Sequence, residues 1–145
     1  MLGRLARWLR LLGFDTFWEP DVPDERLVRV ALDDARWILT RDRALPVEWR
    51  VPRVHVVAAD TPRAQLREVV RAFDLAPRAR PFARCSRCNS PVEALPAERA
   101  QPLVPEGVRA RQVRFSACPG CGRIYWEGTH VERMRRVIES VLAGG

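Results

Sequence analysis

At 145 residues the chain is the size of one ordinary domain, or of one small domain with a metal-stapled appendage, which excludes large multidomain machinery. With 47% hydrophobic and 30% charged residues it holds enough apolar material for a core, unlike a disordered chain. Its 25 basic residues face 18 acidic ones, for a net charge of +7, and every one of them is arginine. The planar guanidinium fork suits phosphate oxygens and raises nucleic acid as a partner, although a GC-rich genome or heat adaptation produces the same bias.

No apolar run reaches the roughly 18 residues that span a bilayer. Arginine interrupts the opening segment at positions 4, 7 and 10, so it is not the apolar core of a signal peptide. A cytoplasmic location is expected, where four cysteines serve as metal ligands more readily than as disulfides.

In chain order, Leu2, Leu5, Leu9 and Leu12 line one side of a helix and Arg4, Arg7 and Arg10 the other, with Gly13 as its stop. Residues 14–18 read as a short strand, followed by a loop containing Pro20 and Pro23. Asp24 opens a second helix with Leu27, Val30 and Ala31 as its apolar stripe, and residues 37–40 form a buried strand. A third strand covers residues 54–58. Thr61-Pro62 then starts a helix bearing Leu66, Val69, Val70 and Phe73.

Strand and helix in alternation imply a parallel sheet with helices on both faces, and in such sheets sites form beyond the carboxyl ends of the strands. Asp21 and Asp24, Asp42, and Asp60 follow the three expected strands in turn, so four acids are expected at one sheet edge. Singly, each reads as a turn or cap residue. Together they suit a hard cation such as Mg²⁺ or Mn²⁺, which activates water for phosphodiester hydrolysis.

The stretch at residues 78–81 reads as a linker, dividing residues 1–80 from residues 81–145. Beyond it, Cys85-Ser86-Arg87-Cys88 and Cys118-Pro119-Gly120-Cys121, with 29 residues between them, are two Cys-x-x-Cys knuckles. Four thiolates fill a tetrahedral zinc shell and leave no place for water, so the zinc is structural. Ribbon strands are expected at residues 113–115 and 123–126. Phe115, Tyr125 and Trp126 either stack on bases or pack against the first domain. Thr129-His130-Val131-Glu132 reads as a capping box opening a last helix, with Val131, Met134, Ile138 and Leu142 toward the core and Arg133, Arg135 and Arg136 exposed.

Several segments carry a family resemblance: residues 1–13 (Met-Leu-Gly-Arg-Leu-Ala-Arg-Trp-Leu-Arg-Leu-Leu-Gly), Asp24-Glu25-Arg26-Leu27, Ile38-Leu39-Thr40-Arg41-Asp42-Arg43, Pro81-Phe82-Ala83-Arg84-Cys85, the second knuckle, and residues 122–130. In this order, with both knuckles, the chain resembles the Mut-seven C-terminal RNase domain family, a PIN-like ribonuclease domain with an appended zinc ribbon. The resemblance implies a metal-dependent ribonuclease on a PIN-like α/β sandwich. Asp24 and Asp42 match its acidic positions and Thr40 the threonine of a threonine-x-aspartate motif; Asp21 and Asp60 are added by the sheet-edge argument. Family members begin with a strand ending in aspartate just before the Met-Leu-Gly segment. This chain begins at that methionine, so the expectation is a missing first strand, a native start upstream, and weakened metal binding in the chain as given.

The expected function is therefore RNA hydrolysis at a carboxylate-bound Mg²⁺ or Mn²⁺ involving Asp21, Asp24, Thr40 and Asp42. Arg4, Arg7, Arg10, Arg41, Arg123, Arg133 and Arg136 contact RNA, and zinc sits on Cys85, Cys88, Cys118 and Cys121. The alternative is a non-catalytic zinc-ribbon RNA-binding or adaptor protein. No membrane partner and no small-molecule cofactor are expected, and the oligomeric state is left open.

Overall fold

The computed structural model describes residues 2–111 and 114–144. The reading of Met1 and the start of the ribbon strand at Val113 lie outside them. The first helix, α1 (Gly3–Leu11), ends where the sequence places its stop. Gly13 has φ 94°, Gly13 N–H donates to Arg10 O, and Phe14 N–H to Leu9 O. A side chain there would meet the Arg80 carbonyl oxygen at 2.5 Å, so glycine is required by both conformation and contact.

Residues 14–18, expected as a strand, form no strand and pair with no neighbouring strand. The reason lies in their backbone partners: Thr16 N–H donates to Asn89 Oδ1 and Thr16 O accepts from Arg10 Nε, so side chains satisfy groups that a sheet ladder would otherwise use. After the loop comes α2 (Asp24–Asp33), whose N-cap is Pro23. Then β1 (Ile38–Thr40) leads into a short helix the sequence reading did not anticipate, α3 (Leu45–Trp49). Next come β2 (Val54–Val56) and α4 (Pro62–Ala72), where Thr61 Oγ1 accepts from Ala64 N–H as an N-cap should.

β1 and β2 run parallel, Ile38 beside Val54 and Thr40 beside Val56. Successive residues of a strand face opposite sides. Accordingly Ile38 and Val54 pack with Val28, Ala31 and Leu45 of α2 and α3, while Leu39 and Val57 pack with α1 and α4. The chain is thus a mixed α/β protein whose small parallel sheet carries helices on both faces.

The stretch that composition marks as a linker is docked. Arg80 N–H donates to Leu12 O at 2.7 Å and Phe82 N–H to Leu11 O at 2.6 Å, capping carbonyls left over at the end of α1. Beyond it, β3 (Glu93–Leu95), α5 (Ala97–Ala100), α6 (Glu106–Arg111), β4 (Phe115–Ala117) and β5 (Ile124–Trp126) follow. They build an antiparallel sheet in the order β3-β4-β5, with a small core of Ala100, Val104 and Phe115.

The last helix, α7 (Thr129–Ala143), buries Ile138 and Val141 in the core formed by α1 and α4, not in the small core of Ala100, Val104 and Phe115. The expected capping box is absent: the N-cap is Gly128, whose carbonyl accepts from Glu132 N–H, and Thr129 already lies inside the helix. Among the described residues no helix is long and apolar enough to cross a membrane.

Candidate metal centre and carboxylate edge

The two knuckles have the same backbone construction. In the first, Cys85 N–H donates to Ser90 O and Asn89 N–H returns to Cys85 O; in the second, Cys118 N–H donates to Arg123 O and Gly122 N–H to Cys118 O. The fifth position of each turn is left-handed, Asn89 at φ 72° and Gly122 at φ 76°, which asparagine and glycine tolerate best. One knuckle follows a bridge between Arg84 and Pro91, the other joins β4 to β5, and together they bring one sulfur from each cysteine within 4.8 Å of the others.

Cys85 and Cys118 are buried, Cys88 and Cys121 exposed. The Cys85 and Cys121 sulfurs lie 3.8 Å apart, the separation expected from tetrahedral Zn–S bonds of about 2.3 Å. Four sulfurs in this arrangement fit a metal such as zinc. The Cys88–Cys118 separation is 3.1 Å, far longer than a disulfide bond of about 2.05 Å.

Hydrogen bonding splits the thiols. The Ser90 side chain and the Cys118 sulfur pull the Cys88 thiol well below its ordinary value, whereas burial pushes Cys118 up. Burial opposes ionisation of Cys85, but the Tyr125 hydroxyl 2.9 Å from its sulfur, with the Cys88 and Arg87 backbone, lowers it on balance. Tyr125 itself is pushed up to about 12 by burial and by that sulfur. Tyr125 is therefore committed to the knuckle. Phe115 is buried in the small core with Ala100 and Val104, and Trp126 packs against it, so the packing of both is within the second half of the chain rather than against the first.

The carboxyl ends of β1 and β2 form the second candidate region. Thr40 closes β1, and its Oγ1 accepts from Asp42 N–H at 3.0 Å. Asp42 Oδ1 in turn accepts from Ala44 N–H at 2.8 Å, leading into α3. Beyond β2, Arg41 Nη1 donates to Ala59 O and Arg41 Nη2 pairs with Asp60 at 2.9 Å, tying the two strand ends together. Asp21, at φ 53°, and Asp24, the first residue of α2, are exposed on the preceding loop and helix start. Among the described residues the only group of three or more His, Cys, Asp or Glu side chains placed to hold a metal ion is the four cysteines, so the four aspartates are not gathered into such a group.

The chain matches the family model described as Mut7-C RNAse domain over residues 1–138. It belongs to that family, a family of ribonucleases. Neither the curated proteins nor the solved structures compared with it give a match.

Arginines of this Mut7-C RNAse domain divide by environment. Arg4, Arg7, Arg123, Arg133 and Arg136 are exposed, and Arg41 is half-buried. Arg10, expected on the solvent side of α1, is only 5% exposed. Its guanidinium donates to the carbonyls of Thr16, Ser86 and Arg87 because the first knuckle docks over that side of the helix. Sequence reading also missed Ser90, Asn89 and the arginines of α4. Asn89 follows the first knuckle directly, and its left-handed position in a Cys-x-x-Cys-Asn turn was the available signal.

Proposed function

We propose that this chain is a metal-dependent endoribonuclease of PIN-like construction, with a structural zinc in a four-cysteine ribbon and Mg²⁺ or Mn²⁺ at the carboxylate edge. The observation that carries the reading is the family match across residues 1–138 combined with Thr40-held Asp42 at the carboxyl end of a parallel strand. Asp24 and Asp42, assisted by Asp21, are the oxygen donors. Mg²⁺ commonly needs only one or two carboxylates, the rest of its shell coming from water and phosphate. Such an ion, when bound, activates water and stabilises the leaving oxygen. Thr40 fixes the backbone that presents Asp42, and Arg4, Arg7 and Arg41 neutralise the phosphate backbone.

The second reading, a non-catalytic RNA-binding or adaptor protein, is favoured by one observation: Asp42 and Asp60 both already have protein partners. A cleavage assay on labelled RNA with and without added Mn²⁺ separates the two. Mn²⁺-dependent cleavage abolished by Asp42→Asn supports the nuclease. Cleavage indifferent to both the ion and Asp42→Asn overturns the metal mechanism, and salt-sensitive binding without cleavage selects the second reading.

A further inference from the structure

Helix α4 carries Arg63, Arg67 and Arg71 at intervals of four, which places them along one side of the helix, each about 6 Å further along the axis. All three are exposed, and among the described residues none has a carboxylate oxygen within 4.0 Å. The one acid on α4, Glu68, turns away from them: both its oxygens accept from Ala58 N–H, at 3.0 and 3.1 Å.

The row extends onto α7. Arg67 Nη2 donates to Ser140 Oγ at 3.2 Å and Arg71 Nη2 to Gly144 O at 3.4 Å. Partners four residues on along α4 and from Ser140 of α7 to its C-cap Gly144 mean that the two helices run in the same direction. Three arginines of α4, two of them bonded across to α7 and its C-cap, therefore form one row along the seam. It starts beside Asp60, at the sheet edge that holds Asp42, and runs the length of α4, about 16 Å.

We propose that this α4/α7 seam is a track for the phosphate backbone of a single RNA strand, leading it to the carboxylate edge. Five donors per guanidinium leave Arg67 and Arg71 able to bind phosphate while keeping their single bonds across the seam, and Arg63 has no such bond to keep. A single strand is favoured over a duplex because the arginines form one row along one helix, the form of charged groove that tracks the backbone of an unpaired strand. The proposal rests on the RNA reading above, but not on cleavage.

The test is fluorescence anisotropy of a labelled single-stranded RNA, without added divalent ions, across a salt series. The full chain is compared with Arg63→Gln, Arg67→Gln, Arg71→Gln, their triple variant, the triple lysine variant and Arg99→Gln as a remote control. The glutamine triple is expected to bind at least about tenfold more weakly, and the slope of log affinity against log salt to fall by about 2, at about 0.7 per lost contact. Lysine in all three places should restore most of the affinity, and Arg99→Gln should leave it within about twofold. If the glutamine triple does not fold, the three single variants carry the comparison, each lowering the slope by about 0.7.

Unchanged affinity and slope overturn the track. So does Ser140→Ala weakening binding as much as Arg67→Gln, since helix packing rather than charge would then be responsible. Equal competition by duplex RNA overturns the choice of a single strand, and equal competition by polyglutamate reassigns the seam to an acidic protein. Mn²⁺-dependent cleavage with the track variants binding normally removes this inference alone, whereas a wild-type chain that binds no RNA removes the functional reading with it.

Discussion

Arg10 Nη1 lies 2.9 Å from the carbonyl oxygen of Arg87, so a residue of the first helix reaches into the turn between the first two cysteines. The same guanidinium holds Ser86 O at 3.2 Å and Thr16 O at 2.9 Å, and Asn89 returns the contact by accepting from Thr16 N–H and donating to Asp15 Oδ1 at 2.6 Å. Arg84 adds bonds to Gly13 O and Asn89 O. The first cysteine turn and the first helix are thus joined through polar groups, with buried charge at the join.

Replacing Arg10 should show how much that join contributes. Arg10→Leu leaves carbonyls without their donor and is expected to destabilise the chain by about 2–4 kcal/mol, as loss of a buried, charge-assisted network does. Arg10→Lys should recover only part of this, because an ammonium cannot reproduce the fork. Chemical denaturation of the zinc-loaded protein measures both. A loss below about 0.5 kcal/mol, the range of ordinary surface substitutions, would contradict the role.

Metal removal should be felt across the same join. Without the ion, the turn carrying Ser86, Arg87 and Asn89 loses its anchor, so Thr16 N–H loses a well-placed acceptor. Hydrogen exchange should accelerate at residues 14–18 together with residues 85–90, while the interior of α4 around Leu66 and Val69 stays protected. Cys85→Ser and Cys118→Ser should each lower the bound zinc, read by metal analysis, and reproduce that pattern. Protection of residues 14–18 that survives zinc loss would show that the two regions are independent.

The same contacts explain which parts of the fold could be read from sequence. The periodicity of Leu2, Leu5, Leu9 and Leu12 and the Thr61-Pro62 start signal locate α1 and α4 because they depend on neighbours one turn away. The cysteine knuckles are legible for a similar reason, since their turns close within six residues. Residues 14–18 have strand composition, yet their backbone partners are Arg10 and Asn89, the latter 73 residues distant from Thr16. Arg10 has the spacing of a solvent-facing residue, and only the docking of the knuckle buries it. At the sheet edge, order along the chain placed Asp42 and Asp60 beyond the strand ends, but it held no information that Arg41 would take up Asp60 and Ala44 N–H would take up Asp42.

Thr40 offers a separable test of the carboxylate edge. Its hydroxyl accepts from Asp42 N–H, so Thr40→Val keeps the shape of the strand end while removing the acceptor. Stability should fall by about 0.5–1.5 kcal/mol, the ordinary contribution of one such bond. Cleavage, if Asp42 holds the ion, should fall by at least about tenfold because about 1.4 kcal/mol of positioning suffices for that factor. Thr40→Ser should retain both. Cleavage rates equal to wild type in Thr40→Val would remove Thr40 from the site and leave it a turn residue.

Acid should loosen the ribbon join at Asp15. The Arg36 guanidinium, 2.9 Å away, holds the Asp15 carboxyl below its ordinary value; burial opposes this, and the Asn89 amide adds to the lowering. A carboxyl lowered in the folded state contributes stability that is fully present above its unfolded value, about pH 4, and is lost as the pH falls through the lowered folded value. Asp15 is nearly half exposed, at 48% of its side chain, so solvent screening limits the contribution to under about 1 kcal/mol. Denaturation of wild type and Asp15→Asn at several pH values should therefore show a gap that is constant from about pH 7 to pH 5 and narrows below about pH 4. High salt should shrink it at neutral pH. A gap that widens on acidification would reverse the sign and rule out the Arg36 and Asn89 contacts as its source.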